Sequence, residues 1–210
     1  MKHTFFIKDW LNSFLSLLFP HCCVVCGRPL AKGEECLCIM CNINLPRTNY
    51  HLWKDNPVER LFWGQIPLER ATSFFFYRKG SDFRQILHQL KYGGKKEVGI
   101  IMGRYMAAEL SDSGFFEGVD VIIPIPLHKK KQQIRGYNQS ECIARGIAAV
   151  TGITVCVESV VRRKNTETQT RKSVFERWEN VDGIFELHRS EYLAGKHILI
   201  VDDVLTTGAT

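Results

Sequence analysis

Along these 210 residues the apolar positions fall into two kinds of pattern, and each predicts different elements. Trp10, Leu11, Phe14, Leu17 and Leu18 recur at helical spacing, so residues 5–18 are predicted to form a short amphipathic helix ending at Pro20. The polar side of that helix carries no basic cluster, which favours packing against the protein over attachment to a membrane. Helical periods return at 82–92 and 98–110, interrupted by Gly93-Gly94, and again at 140–150. The other pattern is the short run rich in Val and Ile, expected of buried strands. Such runs occupy 119–126, bounded by prolines, then 153–161 and 196–201. A further strand is predicted at 71–77, through Phe74-Phe75-Phe76-Tyr77, whereas 46–70 has aromatics and prolines without a period and reads as a connecting stretch.

Strand, helix, strand and strand in that order, with apolar strands, imply an α/β fold: a parallel sheet with helices on its faces. In such sheets ligands bind beyond the carboxyl ends of the strands. The residues after Pro126 and after Val201 are therefore expected at one edge. The length suits one sizeable domain plus a small module, and a hydrophobic content of 45% with 24% charged residues is that of a soluble globular protein.

Charge sharpens this picture through its location. The net charge is +6, and residues 121–180 hold eleven Lys/Arg against five Glu and no Asp, leaving seventeen of each sign elsewhere. An excess placed just ahead of residues 202 and 203 favours an anionic ligand there; a solvated basic face is the bland alternative.

Six of the eight cysteines lie between Cys22 and Cys41. Cys23-x-x-Cys26-Gly27 and Cys38-x-x-Cys41, eleven residues apart, have the spacing of a tetrahedral zinc site with four thiolate ligands. Cys22 and Cys36 are spare, so the ligand choice is not unique. A disulfide framework is the competing reading, but it belongs mainly to secreted chains. Here an acid and a Trp precede a short apolar run with no small-x-small cleavage site, too short to span a bilayer. A reducing cytoplasm, no membrane span and a structural Zn²⁺ are the expectation.

Two carboxylates, Asp202 and Asp203, follow the last apolar run, and Thr206, Thr207, Gly208, Ala209 and Thr210 come next. Hydroxyls and exposed N–H groups in such a loop ring a phosphate, and carboxylates accept hydrogen bonds from ribose hydroxyls. Acids holding Mg²⁺ are the alternative; the glycine-rich loop of nucleotide hydrolases is absent. After the run at 119–126 comes a predicted loop from Leu127 to Gln139, with Lys129, Lys130, Lys131 and Arg135 ahead of Gly136, Asn138 and Gln139. That loop is equipped for a polyanion, although the lysines alone read equally as a solvated run. A second polar stretch, from Arg162, Arg163, Thr166 and Gln169 to Asn180, is a candidate flap over the ligand or else a loose surface loop.

These blocks, taken in order, closely resemble the ComF family of competence-associated, type I phosphoribosyltransferase-like proteins. The resemblance rests on Leu18-Phe19-Pro20 before the paired Cys-x-x-Cys, Leu90-Lys91-Tyr92 before the glycines, and Pro124-x-Pro126-Leu127 leading to Arg135-Gly136-Tyr137-Asn138-Gln139. It continues through Thr166-x-x-Gln169 and Arg177-x-x-Asn180-Val181 to the closing Asp-Asp loop, which is like the phosphoribosyl-pyrophosphate (PRPP) loop of type I enzymes.

The resemblance implies residues 1–20 as a helix, 21–45 as a zinc-ribbon-like module, 46–70 as a connection and 71–210 as a phosphoribosyltransferase core. By the same resemblance, Asp202 and Asp203 hold the ribose hydroxyls and the loop from Thr206 to Thr210 the 5′-phosphate. Arg135 lies in or beside the pyrophosphate loop, and Arg162 to Gln169 in the flexible loop. It also implies Mg²⁺ with PRPP, and a link to DNA uptake with competence proteins as partners; no catalytic residue is assigned. The rival expectation is a zinc-containing single-stranded-DNA-binding protein with a vestigial PRPP site. The family's chains continue past the loop at Thr210, so a longer natural product is expected, checked by its mass.

Overall fold

The computed structural model describes residues 20–163 and 183–206. The predicted helix at 5–18, Thr166 and Gln169 of the flap, and Thr207, Gly208, Ala209 and Thr210 lie outside them. The chain forms two compact units. One holds the residues up to Pro46 together with Tyr77–Ile86, and the other holds Arg47–Phe76 with the residues from Leu87 onward.

The first unit is built on the cysteine knuckles. The Gly27 N–H donates to the Cys23 carbonyl across a tight turn, and the Val24 N–H donates to Cys36, which ties the two cysteine pairs together. Gly27 has φ +73°, a left-handed conformation that disfavours any side chain. A short helix α1 (Ile39–Ile43) starts at Cys38, and Glu34 braces its start by accepting from the N–H groups of Ala31 and Ile39 at 2.7 Å each.

In the second unit the stretch read as a connection is ordered around one side chain. Asn56, 1% exposed, caps α2 (Pro57–Arg60) by accepting from Val58 and Glu59, while Glu59 reaches back to the Asn56 N–H. The same amide donates to the carbonyls of Tyr50 and Ala71. Arg70 adds bonds to the carbonyls of His51 and Ser113 and lies over the Phe115 ring. The strand predicted at 71–77 does not form. Arg47 and Phe75 make one isolated antiparallel bridge, and Asn49, at φ +55°, turns the partner chain away before a ladder extends.

Helices α3 (Arg84–Tyr92) and α4 (Lys96–Ser111) match the two helical periods, with Gly94 at φ +67° making the break. Strand β1 (Val121–Pro124) follows, then α5 (Lys129–Arg135), α6 (Gln139–Thr151) and β2 (Thr154–Val155). The apolar run at 153–161 is not one strand. Cys156 donates the last bond to Ile122, the chain bends, and β3 (Val160–Arg162) pairs antiparallel with β4 (Phe185–Leu187). After the short α7 (Ser190–Leu193), β5 (Ile198–Val201) enters the parallel sheet in the order β2-β1-β5, with Val121 opposite both Thr154 and Ile198.

All four residues of β1 are buried, as the central strand of a covered sheet requires. Ile122 and Val201 form a core with Ala107, Ala144 and Ile147 of α4 and α6. Those two helices touch backbone to backbone. A Cβ on Gly103 would lie 2.2 Å from the Ile143 carbonyl oxygen, and one on Gly146 would lie 2.0 Å from that of Ile100. No helix among the described residues is long and apolar enough to cross a membrane.

Candidate functional site

The parallel strands β1 and β5 end side by side. The Ile125 N–H still donates to the Val201 carbonyl, and beyond that point Asp202 and Asp203 leave the sheet. Asp202 Oδ1 accepts from the Ser140 hydroxyl at 3.1 Å and from the Asp203 N–H at 2.8 Å. Asp203 Oδ2 is paired with Lys91 Nζ at 2.8 Å, the two side chains being 13% and 25% exposed.

Electrostatics at this edge are divided. Asp202 keeps solvent access on one side while protein crowds it on the other. That crowding, and then the neighbouring charge of Asp203, push its carboxyl above the usual carboxylate range. The Asp203 N–H, the Ser140 hydroxyl and Lys91 pull it back. Burial lowers the affinity of the Arg162 guanidinium for its proton, against the attraction of Asp202. The edge is thus a carboxylate pair with cations from two other segments close by.

The block at 127–139 is not a loop throughout. His128 caps α5 by accepting from the Lys130 N–H, the Lys and Gln residues that follow are good helix formers, and Gly136 ends the helix at φ +84°. Arg135 sits at that end with its guanidinium 5.7 Å from the Tyr92 ring centre. Asn138 caps α6 by accepting from Ser140 and donates to the Ile125 carbonyl, so it ties the helix start to the end of β1. Gln139 is 2% exposed, and its Nε2 has no hydrogen-bond partner among the described residues. Arg162 ends β3 over the Phe185 ring, and Arg163 pairs with Glu186. Thr206 is exposed at the end of the described residues.

Two residues at the carboxylates carry no role in the sequence reading. Ser140 follows the Arg135–Gln139 block, and Lys91 stands in Leu90-Lys91-Tyr92, which entered only as a mark of resemblance. Nothing local in the chain announces that either meets residues 202 and 203.

In the first unit Cys23, Cys26, Cys38 and Cys41 bring their four sulfur atoms within 4.8 Å of one another. Cys26 and Cys38 Sγ lie 3.8 Å apart, too far for a disulfide. A tetrahedral zinc with bonds of about 2.3 Å spaces its sulfurs by about 3.8 Å, so the donor set fits that ion. Arg28 hydrogen-bonds the Cys26 sulfur at 3.5 Å and holds that thiol down at about 6. The two spare cysteines separate: Cys22 is exposed, and Cys36 is buried with its thiol pushed up to about 12 by desolvation. All cysteines of the described residues are free thiols.

The phosphoribosyl transferase domain family matches residues 136–210, which run from the end of α5 through the carboxylate pair. DNA utilization protein YhgH of Shigella flexneri is 29% identical over 209 residues, covering 92% of this chain and 88% of that protein. Competence protein ComFC of Bacillus subtilis is 25% identical over 203 residues, covering 95% of this chain and 72% of its own. Competence protein F of Haemophilus influenzae is 35% identical over 92 residues, covering 43% of this chain and 40% of its own. No solved structure matches the chain. The parallel sheet and the matched domain define a phosphoribosyltransferase-like protein. Relatives of these names, two of them matching along nearly the whole chain and competence protein F along 43% of it, support a likeness to the ComF family of phosphoribosyltransferase-like proteins.

Proposed function

We propose that the chain binds PRPP with Mg²⁺ at the carboxyl edge of β1 and β5, and that it serves the handling of DNA in the cytoplasm. The observation that carries this is the Asp202–Asp203 pair at the end of a parallel strand within the matched domain. Each carboxylate is held by a protein partner and has one oxygen with no hydrogen bond or ion pair among the described residues. In this reading Asp202 and Asp203 accept the ribose hydroxyls. The exposed Thr206, with Thr207, Gly208, Ala209 and Thr210, surrounds the 5′-phosphate. Arg135 and Gly136 stand on the pyrophosphate side, Asn138 and Gln139 set the backbone there, and Arg162, Arg163, Thr166 and Gln169 belong to the covering flap.

If the reaction runs, a nitrogen nucleophile bonds to C1 of the ribose as the C1–O bond to pyrophosphate breaks. The chain's task is then to orient the ribose and to place cations at the leaving group, with no strong protein base required. Mg²⁺ supplies charge neutralisation on the pyrophosphate. The cysteine cluster holds a structural zinc in its own unit. The link to DNA utilization and competence comes from the names of the relatives.

Calorimetric titration of PRPP and Mg²⁺ into the zinc-loaded protein is the test. Saturable binding lost in Asp202→Ala/Asp203→Ala supports the reading, and its absence in a well-folded protein overturns it.

One observation favours a second reading, a single-stranded-DNA surface beside a vestigial site. Tyr92 is 74% exposed, with Arg135 over its ring and His88 at 5.4 Å, and the helix that carries Arg135 begins with the exposed Lys129 and Lys130. The half-buried Tyr137 is anchored through its hydroxyl, which donates to the Leu90 carbonyl at 2.6 Å. Steeply salt-dependent binding of single strands, unaffected by the double Ala change, would favour that reading.

A further inference from the structure

We propose that the chain from Phe62 to Glu69 forms a docking groove for a peptide segment of a partner protein, one that carries an aliphatic side chain flanked by Lys or Arg. The groove lies at the opposite end of the sheet from the carboxylate pair. Glu69, on its border, pairs with His197 at 3.1 Å. His197 stands just ahead of β5, and its carbonyl accepts from the Asp120 N–H just ahead of β1. A partner seated there leaves the carboxyl edge free.

Phe62, Trp63, Ile66 and Leu68 line a single groove of about 100 Å³. Trp63 is 59% exposed, Ile66 50% and Leu68 42%. One exposed apolar side chain is ordinary, but three around one groove, a Trp among them, is the make-up of an interface. The volume is below the roughly 150 Å³ that holds a benzene ring, so it takes an aliphatic side chain rather than an aromatic one.

Charge selects the flanks of the occupant. Asp55, Glu59 and Glu69 also line the groove, and no Lys or Arg does. The Asp55 carboxylate is exposed. Arg60 stands alongside, bonded to the Asp55 carbonyl, with its guanidinium 5.6 Å from the Trp63 ring centre, so that ring already receives a cation. The net charge of the chain is +6, which repels a basic peptide in general; attraction here has to come from these local acids. A free polyamine would satisfy the carboxylates and leave Trp63, Ile66 and Leu68 in water, whereas a peptide covers both.

The groove is formed before any partner arrives. Asn56 caps α2 and donates to the carbonyls of Tyr50, Trp53 and Ala71, which ties both ends of the stretch together. The N–H groups of Gln65 and Ile66 close on the Phe62 carbonyl, and Gly64 makes the turn at φ +73°. Such preorganisation lowers the entropy cost of binding.

The test is an array of short synthetic peptides probed with the zinc-loaded full chain. One set carries Leu or Ile flanked by Lys and Arg, a second has Glu for each cation, and a third has Ser for each aliphatic residue. The first set is expected to bind about tenfold more tightly than either control, the loss brought by one missing anchor or by reversed flanking charge. Trp63→Ser and, separately, Asp55→Asn/Glu69→Gln are expected to bring that preference to within about twofold. These side chains are exposed, and Asn tolerates the positive φ of Asp55, so the urea midpoint is expected to stay in place. Equal binding of all three sets, or an unchanged preference in either variant, overturns the proposal. Displacement of the first set by an equal concentration of spermidine overturns it as well, assigning the groove to a small cation. So does a preference lost in Asp202→Ala/Asp203→Ala, which would seat the peptide at the carboxyl edge.

Discussion

The cysteine cluster and the carboxylate edge are both four-residue constellations, yet they are assembled in opposite ways. The cluster draws Cys23, Cys26, Cys38 and Cys41 from one short stretch, joined by local turns, the bond from Val24 to Cys36 and the reach of Arg28 to Cys38. The edge draws Lys91, Ser140 and the Asp202–Asp203 pair from three separate elements, with Ser140 and Asp202 62 residues apart. A local cluster needs little fold before it forms and gains its stability from what it binds. A long-range edge exists only after the sheet and its helices have packed. The first region should therefore fail when its ligand is removed, and the second when its scaffold is disturbed.

The largest effect is expected in the first region. Small zinc modules derive about 10–16 kcal/mol of apparent binding free energy from the metal. Chelation, or Cys41→Ser, should therefore open the unit to protease near the knuckles and remove its near-ultraviolet signal. A chelated unit that stays protease-resistant would break the comparison on that side.

Next comes the scaffold of the second region. Gly146→Ala places a methyl against the Ile100 carbonyl and should cost about 1–3 kcal/mol in urea unfolding, with PRPP binding weakened as the edge loosens. An unchanged midpoint would show that α4 and α6 have room the structure does not show.

A smaller effect, of the opposite sign, is expected at Asp202. Its carboxyl is raised by crowding and by Asp203, so the ionised form opposes folding above the ordinary carboxylate range. Asp202→Asn should raise the unfolding temperature at pH 7.5 while removing the ligand acceptor. A lower unfolding temperature would mean that Asp202 supports the fold rather than the site.

The smallest effect concerns His51, whose imidazole burial holds below its usual value, with Arg70 adding to the shift and Glu109 opposing it. A depressed histidine leaves the unfolded chain binding more protons, so stability is complete above about pH 6.5 and declines as pH falls toward the lowered folded value. Urea midpoints at pH 7.5 and 5.5 should show this decline, and His51→Gln should flatten it. An equal decline in both proteins would assign it to other groups.

The two regions also differ in how far they could be read in advance. The cysteine spacing is a local code, and the helices at α3, α4 and α6 followed from their periods. The run at 153–161 misled because apolar content does not reveal that Cys156 gives the last sheet bond before the chain turns toward β3. Phe74, Phe75 and Phe76 have strand propensity, but a strand needs a partner, and Asn49 bends the available one away. The run of charge at 129–131 suggests a loop, whereas the cap at His128 and the stop at Gly136 make it a helix.

What the sequence by itself determined is whatever depends on neighbours along the chain: the paired knuckles, the helical periods, the parallel α/β order, and a carboxylate pair placed after an apolar strand, which the structure shows to be a half-exposed edge with Ile200 63% exposed. Only the tertiary structure decided which groups meet that pair. Lys91 reaches Asp203 because Tyr137 and Gly99 fix the end of α3, and Ser140 reaches Asp202 because Asn138 starts α6 beside the end of β1. The physical reason is range. Hydrogen-bond periodicity and ligand spacing are set over a few residues, whereas a charge partner is set by how whole helices pack against a sheet.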